Sequence, residues 1–249
     1  MNRITKCITF QIKAMAMSSA IFLVIYIAAT LVLASLLLVA SESTSGGSTI
    51  SLSSVSSGFY IGAGIFIFVY VIAAYKETFN YLLMFGNTRK NILLSTVVTS
   101  AVMSLAFSAI SLIIFQVEGA ISKLSDFSSY SSVNLINLIY KDSGIFSEFL
   151  WLTAFFFLIC SFSLLYSTLA YKFGSIFISL FWVCFGLSFI GLPILWDMNS
   201  FKVLDEALTS FFRIGSEHGI LLAPVNFVAA SAIFSAVAYL ASRRQPQSA

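Results

Sequence analysis

Six long apolar runs, at about 14–40, 58–75, 92–117, 149–171, 174–196 and 219–241, alternate with short polar stretches along the 249 residues. A helix needs about 20 apolar residues, at 1.5 Å rise each, to cross a ~30 Å hydrocarbon core. Backbone amides in lipid must be bonded within their own segment, so the runs predict helices. Barrel strands would alternate apolar and polar residues, and these runs do not. What lies outside the runs is too short to build a second core. The pattern predicts an all-α integral membrane protein, a single domain over 1–249 with six transmembrane helices.

The polar stretches alternate in charge, and this orients the helices. One set holds Arg3, Lys6, Lys13, Lys76, Arg89, Lys90, Lys172, Arg243 and Arg244 against a single acid, Glu77. The other holds Lys123, Lys141, Lys202 and Arg213 against Glu42, Glu118, Asp126, Asp142, Glu148, Asp197, Asp205, Glu206 and Glu217. Basic loops resist translocation, so the first set is expected in the cytoplasm together with both termini. A net charge of +3 then reflects topology and implies no nucleic-acid partner. The expected location is a membrane crossed many times, with the lipid bilayer as the constant partner.

Several shorter segments are amphipathic. Ile4, Ile8 and Ile12 recur every four residues, which suits a short interfacial helix ahead of the first span. Residues 41–57 are rich in Ser and Gly and predict a flexible outer loop. The outer loop at about 118–148 carries enough apolar residues, Ile121, Leu124 and Phe127 among them, to pack on the membrane surface. Pro193 breaks the fifth run near its outer end. Phe201, Leu204, Leu208, Phe211 and Phe212 then follow helical spacing, which predicts a surface helix before the sixth span.

Candidate chemistry is sparse. Ion-coupled carriers place ionisable groups mid-span, and here every such group falls at a run's end or in a loop. Gly215-Ser216-Glu217-His218-Gly219 sets three polar residues side by side, a poor geometry for a nucleophile and its base. Neither a metal-ligand cluster nor a GxxxxGK[ST] phosphate loop is present. Cys7, Cys160 and Cys184 lack CxxC spacing and read as small apolar residues. The chain is therefore not expected to be an enzyme or to bind a cofactor itself. A channel would show a charge ring or a selectivity loop, and neither is visible. Within the third run Thr96, Ser100, Ser104 and Ser108 recur every four residues. Such a stripe lets helix backbones approach closely, either inside one chain or along a subunit interface or substrate path.

The segment between the second and third runs, YKETFNYLLMFGNTRKN, carries the best functional signal. Tyr75, Phe79, Leu82, Leu83 and Gly86 fall near one helical face, with Lys76, Glu77 and Asn80 away from it. Gly86-Asn87 is a turn signal that ends the helix. Thr88 follows, and Arg89-Lys90 would anchor the next span at the headgroups. By physics alone this is an interfacial hairpin.

With its GNTRK sequence at that connector, the chain resembles the six-span permease subunits of bacterial ABC-2 type exporters. The likeness extends over the whole topology: an N-terminal interfacial helix, a short helix after the second span, and a surface helix before the sixth. It implies a separate cytoplasmic ABC ATPase, which would supply the ATP and magnesium chemistry, and a second permease copy, identical or not. It also implies that residues 76–84 form a coupling helix docked on the ATPase, and that residues 86–90 set its angle. The coupling set is then Lys76, Glu77, Phe79, Asn80, Leu83, Gly86, Asn87, Thr88, Arg89 and Lys90. Phe-rich walls without buried charge suit an amphipathic or lipophilic cargo such as an antimicrobial peptide, a lipid or a drug. A non-transporting immunity, sensory or scaffold protein would show the same topology and need no ATPase.

Overall fold

The computed structural model describes residues 3–43, 55–124, 136, 139–140, 144–195, 202–214 and 219–243. Seven helices account for nearly all of them: α1 (Arg3–Ser43), α2 (Val55–Met84), α3 (Arg89–Leu124), α4 (Ile145–Phe173), α5 (Ser175–Leu195), α6 (Lys202–Phe212) and α7 (Gly219–Arg243). No strand occurs among the described residues. Stretches of α1, α2, α3, α4 and α7 are each long and apolar enough to cross a bilayer, as in a multi-pass membrane protein. The fifth run appears as α5, apolar but shorter over its described side chains, Ser175–Leu187. It ends just past Pro193.

The helices overrun the predicted spans. α1 has 41 residues, or about 60 Å at helical rise. No glycine or proline separates residues 3–13 from the first run, so the expected interfacial helix is instead the opening of α1. Its inward face holds Cys7, Gln11 and Met15, all buried, rather than Ile4, Ile8 and Ile12. The segment after the second run behaves alike: 76–84 continues α2 without a break, so no separate coupling helix forms. The amphipathic helix α6 does form, ahead of α7, where the spacing placed it. Part of the 41–57 loop is helical at either end, and its remainder lies outside the described residues, as do 125–135 and 215–218.

α4 is the hub. It packs most extensively on α7, next on α2 and α3, and it is α5's principal neighbour. The α7 face turned inward carries Ala223, Ser231, Ala238 and Ser242, all fully buried, and small side chains let two backbones close together. Gly64 on α2 serves the same end, since an added Cβ would meet Ile159 at 3.3 Å. Around these contacts lies an aromatic core of Phe59, Phe107, Phe156, Trp151 and Phe227. A second cluster, of Cys7, Tyr75, Phe79, Leu82, Ile92 and Leu164, packs the end of the bundle that carries the α2–α3 connector. α1 and α5 are peripheral and expose most of their described apolar side chains, as lipid-facing helices do: Val24 is 67% exposed and Ile176 80%.

Candidate functional site

The α2–α3 connector is a rigid corner built by backbone hydrogen bonds. Gly86 takes φ +70°, the left-handed conformation that glycine adopts at least cost. Its N–H donates to Leu83 O at 2.9 Å, and the Asn87 N–H donates to Leu82 O at 3.2 Å. Together these bonds form the Schellman closure of a helix C-terminus. The Asn87 side chain adds a bond from Nδ2 to the same Leu82 carbonyl, at 3.1 Å. Immediately afterwards Thr88 caps α3, its Oγ1 accepting from the Asn91 N–H at 3.3 Å. Four residues, Phe85 to Thr88, thus end one helix and start the next.

Arg89 sits in the first turn of α3, where the helix dipole disfavours a cation. The structure shows what offsets this. Arg89 Nη1 donates to the Ser242 carbonyl at 3.1 Å and to the Arg243 carbonyl at 3.4 Å. These are terminal carbonyls of α7, the negative end of that helix, so the guanidinium ties α3 to α7. Asn80 is likewise used within the chain: Tyr171 Oη, near the end of α4, donates to Asn80 Oδ1 at 3.0 Å. Phe79 is buried, its ring 5.4 Å from Tyr75 and 5.9 Å from Tyr171.

The predicted coupling residues therefore divide. Phe79, Asn80 and Arg89 face the bundle and brace it. Glu77, Gly86, Thr88 and Lys90 are exposed, while Leu83 and Asn87 are half-buried. Lys76 lies in α2 with its side chain outside the described residues. The most exposed large apolar side chains at the corner are Met84 (85%) and Phe85 (64%). Phe85 was not singled out, because it falls on the turn, beyond the face that helical spacing defines.

The hydroxyl stripe of α3 is an internal seam. Thr96 accepts from Gln11 Nε2 of α1 at 3.2 Å, and Thr99 donates to Gln11 Oε1 at 3.1 Å. Ser104 lies 3.8 Å from Cys160 Sγ, and Ser108 lies 2.7 Å from Thr153 Oγ1, both on α4. Ser100, Ser104 and Ser108 are all buried. Gln11 went unremarked in the sequence, where a lone amide among isoleucines carries no distinctive spacing. Beside it, α1, α2 and α3 enclose a cleft of about 50 Å³ lined in part by Tyr70, Thr78, Thr96 and Met103. That volume suits a few waters.

The opposite end is capped by α6. Phe211 and Phe212 pack on Phe227, with ring centroids 5.5 and 5.4 Å away. Asn226 Nδ2 donates to the Phe211 carbonyl at 2.8 Å, and Tyr140 Oη donates to that of Phe212. Trp151 Nε1 in turn donates to Tyr140 Oη at 3.3 Å. Burial pushes the Tyr140 phenol above its usual range, and the Trp151 bond opposes that. Glu118 and Glu148, read in the sequence as outer-end acids, are both buried here. Among the described residues no three His, Cys, Asp or Glu side chains converge as a metal site would require. Compared with known proteins, the chain matches no family, no curated protein and no solved structure.

Proposed function

We propose that this chain is the membrane-spanning permease subunit of an ATP-driven exporter, with six spans and both termini in the bacterial cytoplasm. α5 is the fifth of these spans in chain order: its 21 residues extend about 31 Å, enough for a hydrocarbon core. A separate cytoplasmic ABC ATPase binds the α2–α3 corner and carries the ATP and magnesium. A second permease copy completes the transporter. The observation that supports this reading is mechanical. The corner presents Met84 and Phe85 outward while Asn80 and Arg89 tie it to α4 and α7. A push on the corner is thereby delivered to α4 and α7 as well as to α2 and α3, rather than absorbed by a loose loop. The α3 hydroxyl stripe is taken up by internal bonds, so the cargo path lies between copies. The cargo class the apolar surface suits is amphipathic or lipophilic.

The first test is affinity purification of the chain from its own membrane in mild detergent, with mass spectrometry of what stays bound. An ATPase bearing a phosphate-binding loop should co-purify. Met84→Ser with Phe85→Ser should reduce its recovery at least tenfold without altering chain abundance, because both side chains are exposed and little internal packing is lost. A preparation free of ATPase, also after crosslinking, would replace this reading with the immunity or scaffold one. The internally consumed hydroxyl seam is the observation that favours that second reading.

A further inference from the structure

At the connector end a second exposed surface lies to the side of the corner, between α1 and α2. Lys6, Phe10 and Lys13 recur at helical spacing on the open side of α1, all three exposed. Phe10 stacks on Tyr81 of α2 with ring centroids 5.2 Å apart, and Tyr81 meets Phe85 at 4.6 Å. The result is a ladder of three rings, each 42–64% exposed, flanked by two lysines. Among the described residues neither lysine has a hydrogen-bond or ion-pair partner. Glu77, one turn along α2 from Tyr81, is the acid on this side, and it is exposed too.

We infer that this α1–α2 surface binds the headgroup of an anionic phospholipid, with Lys6 and Lys13 on the phosphate and the Phe10–Tyr81 end of the ladder at the glycerol and upper acyl region, Phe85 belonging to the corner. Three features point to a lipid. The surface sits where the α1 apolar run starting at Ala14 gives way to bases, which is headgroup depth. Amphipathic rings prefer that depth, and exposed rings at the edge of a span are otherwise left in water. The charge is of the right sign, since bases close to an anionic leaflet each contribute binding while a lone carboxylate subtracts. The consequence is structural: α1 is lightly packed on the bundle, and a bound lipid that bridges α1 to α2 would hold it there. This inference rests on the membrane-spanning reading and not on the exporter one, so ATPase recovery and lipid selection fail independently.

The test is native mass spectrometry of the full chain released from nanodiscs containing equal amounts of phosphatidylglycerol and phosphatidylcholine. Phosphatidylglycerol should be retained in preference. Lys6→Gln with Lys13→Gln should lower that preference by roughly 25-fold, about fivefold per lysine. Phe10→Ala should weaken retention of both lipids. Glu77→Gln, an exposed change that leaves packing intact, should raise the preference for phosphatidylglycerol, and this arm remains informative if the double variant does not fold. Equal retention of the two lipids overturns the inference. So does a preference that survives the lysine changes, which places the lipid elsewhere. Loss of ATPase binding in the lysine variant with no lipid preference in the parent chain also overturns it, and assigns the surface to an acidic face of the ATPase.

Discussion

Arg89 shows how one side chain can satisfy two rules and reveal only one in the sequence. As a base at the start of a run it reads as a headgroup anchor. In the structure one guanidinium nitrogen, Nη1, donates to the carbonyls of two successive residues at the end of α7. Lysine keeps the charge and the topology signal, but its ammonium stops one bond short of the reach of Nη1. Arg89→Lys should therefore lower the thermal unfolding midpoint in detergent, by an amount equivalent to about 1 kcal/mol. Insertion and orientation should stay unchanged. If Arg89 were an anchor alone, the substitution would be silent. Gln11 teaches a related lesson, because its two bonds to α3 make sense only once α1 and α3 lie side by side.

At the scale of elements, the two connectors on the α2–α3 side are turns whose geometry glycine makes possible. Gly86 and Gly174 share φ +70°, and an added Cβ would meet nothing within 4 Å at either site. Any cost of alanine is therefore conformational. At Gly86 the left-handed helical region is open to alanine at about 1 kcal/mol. Gly174 has ψ −153°, close to a region almost confined to glycine, where the cost is about 1–3 kcal/mol. Gly174→Ala should thus destabilise more than Gly86→Ala in the same unfolding assay; the reverse order would show that the corner is the more strained turn. The burial pattern of α2 was legible in part: Tyr75, Phe79 and Leu82 are buried and Glu77 is exposed, as the spacing indicated, but Gly86 is exposed and Asn80, placed away from that face, is half-buried against Tyr171. What covers that face was not, since an amphipathic stripe looks the same whether it meets a partner's groove or the chain's own α1 and α3.

Over the whole molecule, stability is distributed around α4. Its neighbours include α7, α2, α3 and α5, and its buried positions extend from Glu148 to Thr168. α1 and α5 contribute less, and their exposed apolar faces await lipid or a second copy. Amide exchange in nanodiscs should be slowest in the middle of α4 and in the α7 turns facing it, and faster in α5. Equal protection of α5 and α4 would mean that α5 is covered by a partner chain rather than by lipid.

Hydropathy by itself determined the class of this protein, the approximate place of its spans, the amphipathic helix before the last span and the turn at Gly86-Asn87. Each depends on local chemistry: transfer of apolar runs from water, helical periodicity, and the φ freedom of glycine. The tertiary structure decided that residues 3–13 and 76–84 extend α1 and α2 instead of lying apart. It also decided that Phe79, Asn80 and Arg89 brace the corner and leave Met84 and Phe85 presented, and that the α3 hydroxyls bond within the chain. Those outcomes turn on which helices become neighbours. Pairings such as Arg89 with Ser242, or Asn80 with Tyr171, join residues far apart along the chain, and no local pattern encodes them.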